Sequence, residues 1–159
     1  MDELYRQNAK IVYHFVYSLC HDKDLAQDLM QETFLQAYKS IDKYNGTCKI
    51  SVWLCQIAKH LFYQYVQKNK NVVIMDVEEQ DFFAKSGNTE QILIRYELMD
   101  VLKEMQKLPD KMREVMYLRI VGDLSFKEIG EILAKSENWC RVNFYRGKEI
   151  LLKGVKKNE

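Results

Sequence analysis

The sequence predicts an all-α chain built as two small helical lobes joined by a linker, the C-terminal lobe being a helix-turn-helix. Three observations carry that expectation. Only six Gly and one Pro occur in 159 residues, too few breakers for a turn-rich all-β fold. Apolar side chains recur at steps of three and four along several stretches, which is the signature of helix faces. After Val66 that periodicity fails, and Gln67 to Glu90 reads as linker, acidic in its middle from Asp76 to Asp81 and punctuated by Ser86-Gly87-Asn88. The expected boundaries are 1–68 for the first lobe, 69–90 for the linker and 91–159 for the second lobe.

The first helix runs from Asp2 to Leu19, with Leu4, Ile11, Val12, Phe15, Val16 and Leu19 on one face. A second starts at Asp22 or Asp24, where an aspartate can cap free N–H groups, and continues through Leu25, Leu29, Phe34 and Tyr38 to Ile41. Tyr44-Asn45-Gly46-Thr47 breaks it. The third helix has the strongest period in the chain, in Ile50, Trp53, Leu54, Ile57, Ala58, Leu61, Phe62 and Tyr65. Its stripe needs apolar partners, which the first two helices supply.

The second lobe begins near Thr89, with Ile92, Tyr96, Met99 and Leu102 on one stripe that ends before Leu108-Pro109. Pro109 suits the first turn of the next helix, which turns Met112, Val115 and Met116 inward. Gly122-Asp123-Leu124 is a turn. Ser125 followed by Glu128 is a capping box opening a helix with Ile129, Ile132 and Leu133 inside, and Gly130 in that helix would let another helix approach closely. Ser136 offers a second cap a few residues on, leading into basic positions, and two short helices so spaced outline a helix-turn-helix. On its last helix Cys140, Phe144, Ile150 and Leu151 can face the lobe, while Asn138, Arg141, Asn143, Tyr145, Arg146 and Lys148 point donors away.

Charge sharpens that reading. The net charge is only +1, but it divides as 0 over residues 1–66, −3 over 67–110 and +4 over 111–159. A basic end beside an acidic middle suggests a polyanion contact at the C-terminus. Arginine can fork onto the O6 and N7 edge of guanine and asparagine can pair with adenine, so this is the inventory of a major-groove reader. A solvated helix of a bundle would carry many of the same residues.

Other chemistries lack a constellation. Cys20, Cys48, Cys55 and Cys140 with His14, His21 and His60 form no close-spaced ligand set, so free thiols and no metal are expected. Asp28 and Glu32 share a helix face but lack the second helix's Glu-x-x-His of a di-iron site, and no nucleophile–base pair or phosphate loop emerges. No enzyme activity and no cofactor are expected. No apolar run approaches the roughly 18–20 residues of a membrane span. Met1-Asp2-Glu3 lacks the basic start of a signal peptide, and a cytoplasmic protein without membrane insertion is expected.

The chain resembles the extracytoplasmic-function sigma factors of bacterial RNA polymerase, whose two lobes are called regions two and four. In the first lobe the resemblance rests on Asp24-Leu25-Ala26-Gln27-Asp28-Leu29, Gln31-Glu32-Thr33-Phe34 and Trp53-Leu54-Cys55-Gln56-Ile57-Ala58. In the second it rests on Leu108-Pro109, Arg113-Glu114-Val115, Leu118-Arg119, the run from Leu124 to Leu133, and the run from Ser136 to Arg146. It implies that Asp28, Gln31, Glu32 and Phe34 dock on the polymerase core. It implies that Tyr44, Asn45, Lys49, Ser51, Lys59, His60 and Tyr63 melt and read the minus-ten element, with Trp53 a core residue behind them. Ser136, Asn138, Arg141, Asn143, Tyr145, Arg146 and Lys148 would then meet the minus-thirty-five element. The implied partners are the polymerase core, promoter DNA and an anti-sigma factor that holds the protein inactive, in some relatives near the membrane.

The chain departs from many relatives in Asn138-Trp139-Cys140 at the entry to the last helix and in lacking an arginine cluster after the third, so no promoter sequence is inherited. The competing expectations are a stand-alone helix-turn-helix regulator, which should bind duplex without the polymerase, and a helical interaction module, which should bind no DNA.

Overall fold

The computed structural model describes residues 2–69 and 100–157, with side chains to residue 154. The linker after Asn69 and the stripe of Ile92, Tyr96 and Met99 lie outside the described residues. The first lobe is α1 (Asp2–Cys20), α2 (Lys23–Ser40), a 3-10 turn (Ile41–Lys43) and α3 (Ile50–Lys68). The second is α4 (residues 100–106), α5 (Asp110–Ile120), α6 (Phe126–Leu133) and α7 (Glu137–Lys157). No strand occurs among the described residues.

The ends of these helices follow local chemistry. His21 takes a left-handed φ of 56°, closing α1, and its N–H donates to Tyr17 O at 2.9 Å. Asp22 then caps α2, its Oδ1 accepting from the backbone N–H of Asp24 and Leu25 at 3.0 and 3.2 Å. Pro109 is the cap residue just before α5 rather than part of its first turn. The expected capping box is present in both directions, Glu128 N to Ser125 Oγ at 3.1 Å and Ser125 N to Glu128 Oε1 at 2.8 Å. Helix α6 ends on Ala134 with φ 57°, a conformation that favours glycine and here closes the helix-turn-helix bend. Gly130 serves that same bend. A Cβ there would come 2.5 Å from Lys135 O, so the close approach is by the turn's own backbone and not by another helix.

The lobes share one core. Val12, Phe15, Val16, Ala26, Leu29, Val52, Leu54, Cys55 and Ala58 continue without a break into Val115, Leu118, Leu124, Ile129, Ile132 and Cys140. Helix α1 packs on α5 as well as on α2 and α3, and α3 packs on α6. Ile11 lies so close to Gly122 that a Cβ there would sit 2.0 Å from its Cδ1. Lobes of this size have little core of their own, and here each covers apolar surface of the other. A satellite cluster of Met105, Leu108, Met116, Tyr117 and Leu151 holds α7 to α4 and α5. At Gly147 of α7 a Cβ would meet Met116 Sδ at 3.0 Å and Met112 Cγ at 3.1 Å, so the missing side chain seats the helix on α5.

Three apolar positions differ from the sequence reading. Tyr38 and Ile41 face solvent at 49% and 38% exposure, because α2 turns Ala26, Met30, Thr33 and Ala37 inward instead. Ile150 is also exposed, and the lobe takes Leu151.

Candidate nucleic-acid interface

Helix α7 presents the expected reading face. Asn138, Arg141, Tyr145, Arg146 and Lys148 are exposed, on the side opposite buried Cys140 and Gly147. Phe126 braces it from α6, with ring contacts to Phe144 and Tyr145 at centroid distances of 5.5 and 6.4 Å. The guanidinium of Arg119 lies 4.4 Å from the Phe126 centroid and that of Arg141 lies 5.5 Å from it, so two cations help hold the brace. Arg141 also pairs with Glu137 at 3.1 Å in a half-exposed i,i+4 bridge, an interaction weak enough for DNA to replace. Two residues expected on this face do other work. Ser136 Oγ accepts from Trp139 N at 3.0 Å and so caps the helix, and Asn143 Nδ2 turns back to Trp139 O at 2.9 Å.

The seven first-lobe positions expected around single-stranded DNA fall into two groups. Tyr44 donates its hydroxyl to Cys48 O and packs its ring 5.1 Å from half-buried Trp53. Asn45 Oδ1 accepts from Thr47 N and Oγ1, which fixes the loop. Ser51 is half-buried at the start of α3. His60 lies on the outer face of α3, in a groove of about 470 Å³ bounded by Gln36, Trp53, Gln56, Leu61 and Gln64. Its Nε2 is 3.1 Å from Gln64 Nε2. Sequence reasoning missed the amide row Gln56 and Gln64 that flanks His60, although its spacing of four was the available signal.

Lys49, Lys59 and Tyr63 face the other way. Lys49 pairs with Glu128 of α6 at 3.6 Å, and Lys59 Nζ donates to Ile132 O at 2.8 Å. Tyr63 sits beside Lys111 of α5. Burial, reinforced by the like charges of Lys111 and Lys135, pulls the Lys59 ammonium below the usual lysine range. Glu114, only 4% exposed, is pushed up by burial against the pull of Lys111, whose Nζ lies 3.4 Å away.

On α2, Asp28 and Gln31 are exposed and Glu32 is half-buried, accepting from Gln36. Phe34 does not join them. It is 5% exposed and packs 4.9 Å from the Tyr5 ring, while Leu35, 54% exposed, occupies the outer face in its place.

Cys20, Cys55 and Cys140 are buried free thiols and Cys48 is a half-buried one. Burial pushes Cys20 up to about 11 and raises Cys55 further, so neither is a ready thiolate. Among the described residues no group of His, Cys, Asp or Glu is placed to hold a metal ion, and no helix is long and apolar enough to cross a membrane.

A helix-turn-helix with an exposed basic reading helix, folded onto a second helical lobe that carries an amide- and aromatic-lined groove, defines a class of sequence-reading DNA-binding protein. Comparison with known proteins gives the family. Residues 4–72 match Sigma-70 region 2, and residues 98–151 match Sigma-70, region 4. The ECF RNA polymerase sigma factor SigM of Bacillus subtilis strain 168 is 35% identical over 154 residues, spanning 95% of this chain and 92% of the relative. SigW of the same organism is 30% identical over 155 residues, spanning 91% and 83%. The chain belongs to the extracytoplasmic-function sigma factors, which direct RNA polymerase to promoters. The fold is also that of the sigma factor RpoE in its complex with the anti-sigma factor NepR from Bartonella quintana, with a TM-score of 0.73 at 20% identity over 99% of this chain and 98% of that one. CnrH in complex with the cytosolic domain of CnrY gives a TM-score of 0.67 at 18% identity over 99% and 88%.

Proposed function

We propose that this sigma factor divides its work between the lobes as follows, with residues 1–68 binding the polymerase core and the minus-ten element, 69–90 linking, and 91–159 reading the minus-thirty-five element. The observation that carries the reading is the open face of α7, where Asn138, Arg141, Tyr145, Arg146 and Lys148 stand clear of the lobe on a helix braced by Phe126. Arg141 and Arg146 suit guanine edges, and Lys148 suits phosphate. Ser136 and Asn143 serve the helix itself and contribute to DNA by holding it in place. In the first lobe His60 lines the groove where an unstacked base can lie, Trp53 forms part of its wall, and Tyr44, Asn45 and Ser51 belong to the loop and helix start that precede it. Lys49 and Tyr63, both exposed, complete the minus-ten set together with Lys59.

The docking face for the polymerase is Asp28, Gln31 and Glu32, with Leu35 as its apolar centre. Carboxylates around an exposed leucine suit a basic helical partner with an apolar stripe. The protein performs no chemistry of its own, works in the cytoplasm, and is held in check by an anti-sigma factor, as the sigma factor RpoE of this fold is seen bound to the anti-sigma factor NepR.

Run-off transcription with purified bacterial core polymerase, with and without this protein, on genomic promoter fragments tests the assignment. New start sites should appear with the protein and vanish with Arg141→Ala or Arg146→Ala. Tight duplex binding by the protein alone, with no core binding and no transcript, would mark a stand-alone regulator instead.

A further inference from the structure

Val142 stands at the centre of the exposed face of α7. It lies about 160° around the helix from buried Cys140 and about 140° from buried Gly147, at 3.6 residues per turn. Its neighbours one turn away are Asn138, Trp139, Tyr145 and Arg146, and all but half-buried Trp139 are exposed. Val142 is 37% exposed and Tyr145 is 53% exposed, so an aliphatic and an aromatic side chain adjoin in the middle of a face otherwise made of donors. Arg141, on the flank of that face, is tied to Glu137 at 3.1 Å and lies 5.5 Å from the Phe126 ring centroid, which leaves Val142 uncovered beside it.

A scattered apolar residue on a protein surface calls for no role. Position and company make this one different. A valine makes no side-chain hydrogen bond, so among the base edges of a major groove it has one group to recognise, the C5-methyl of thymine. Set against any polar edge it would leave a donor or acceptor unpaired. Branching at Cβ holds its methyls in essentially one rotamer on a helix, so little side-chain freedom is lost on docking.

We propose that Val142 is a specificity-determining residue that reads the C5-methyl of a thymine in the minus-thirty-five element. The proposal rests on the assignment of α7 to that element, and adds an apolar reader to the donors. Asn138 and Arg146 straddle Val142 and suit adenine and guanine edges, so the thymine falls within the same few base pairs as those purines. Glu149, seven residues on along the same line, is exposed and brings a carboxylate that phosphates repel. The contact therefore belongs to the N-terminal half of α7, the part of a recognition helix that meets base edges.

The test uses holoenzyme assembled from the full chain and purified bacterial core polymerase, on a promoter located by run-off transcription. Each thymine of the upstream box, on either strand, is replaced singly by deoxyuridine, which removes the methyl and keeps every hydrogen-bonding group. Wild-type holoenzyme should bind about threefold to fivefold more weakly at one such position, the worth of one buried methyl group. Val142→Ser, an exchange on the surface that leaves the core untouched, should bind the thymine and deoxyuridine duplexes equally. With a C·G pair at that position, 5-methylcytosine should bind better than cytosine for the wild type, and no better for Val142→Ser. An upstream box without an A·T pair, or one in which no deoxyuridine weakens the wild type, overturns the proposal. A loss that persists undiminished in Val142→Ser belongs to the DNA itself and overturns it too. If Arg141→Ala and Arg146→Ala still weaken binding in either case, the assignment of α7 stands and the methyl contact alone is wrong. If neither arginine variant alters binding, the assignment of α7 falls and takes the methyl contact with it.

Discussion

The imidazole of His14 in α1 lies nearly flat on the phenol ring of Tyr117 in α5, with centroids 5.9 Å apart and planes 26° apart, so the lobes meet through two buried aromatic rings. Burial, with some help from the Lys10 charge, lowers the His14 pKa to about 4. The unfolded chain takes up a proton near the ordinary value of 6.5, and the folded chain resists until about 4. Stability is therefore full above pH 6.5 and falls as pH drops through that window, by up to about 3 kcal/mol. Glu114, raised by burial, acts in the opposite sense above the ordinary carboxylate value. Urea unfolding between pH 7 and pH 4 should show the acid-side loss, and His14→Leu should flatten it.

Neighbouring residues on α2 should separate folding from docking. Phe34→Ala empties a core position and should cost about 3–5 kcal/mol in chemical denaturation. Leu35→Ala removes an exposed side chain, should leave stability within about 0.5 kcal/mol, and should weaken binding to core polymerase about tenfold or more if it is the apolar centre of that face. Titration of each variant against labelled core checks the pair.

The bend of the helix-turn-helix carries a left-handed alanine. Ala134→Gly should raise stability by roughly 0.5–1 kcal/mol, the part of the steric relief that survives the greater freedom of glycine in the unfolded chain. Thermal melts of the full chain give the sign directly, and a loss would show that Ala134 holds the bend by its methyl contacts.

Ser136 tests whether capping or DNA contact governs the entry to α7. Ser136→Ala should cost about 1 kcal/mol, and Ser136→Asp, which can still accept from Trp139 N, should restore most of it. Promoter preference should survive Ser136→Ala, unlike Arg141→Ala, when duplexes with single base changes are compared.

Much of this molecule was legible before its structure. Helices α1, α3 and α6 follow from apolar stripes with few competing breakers, and the capping box at Ser125 and Glu128 fixes a helix start by chemistry local to four residues. The exposed face of α7 was legible for the same reason, since its donors share one side of a helix that has an identifiable inner side. Adjacent positions were harder. Phe34 and Leu35 differ by a rotation of about 100°, and an apolar pair does not say which member faces the core. Least legible was the meeting of the lobes. Arg113 and Ser18 are 95 residues apart in the chain, and Lys59 and Ile132 are 73 apart. Nothing in a lysine's sequence neighbourhood distinguishes one that meets phosphate from one that caps a distant helix. Lys49 and Lys59 therefore read as DNA contacts, although in the folded chain both hold the second lobe.

The absent side chain at Gly147 sets how closely α5 is approached by α7. That helix rests on two thioether side chains, Met112 and Met116, which repack more readily than branched ones. A methyl group added there would press on both thioethers, which must give by a few tenths of an ångström to keep α7 in its seat. On the proposed assignment of α7 to the minus-thirty-five element, the seat of the helix is thus set by residues that are not themselves offered to DNA. An interior position with no exposed donor of its own is thereby part of how the exposed donors of α7 are presented, and a comparison of those donors alone would pass over it.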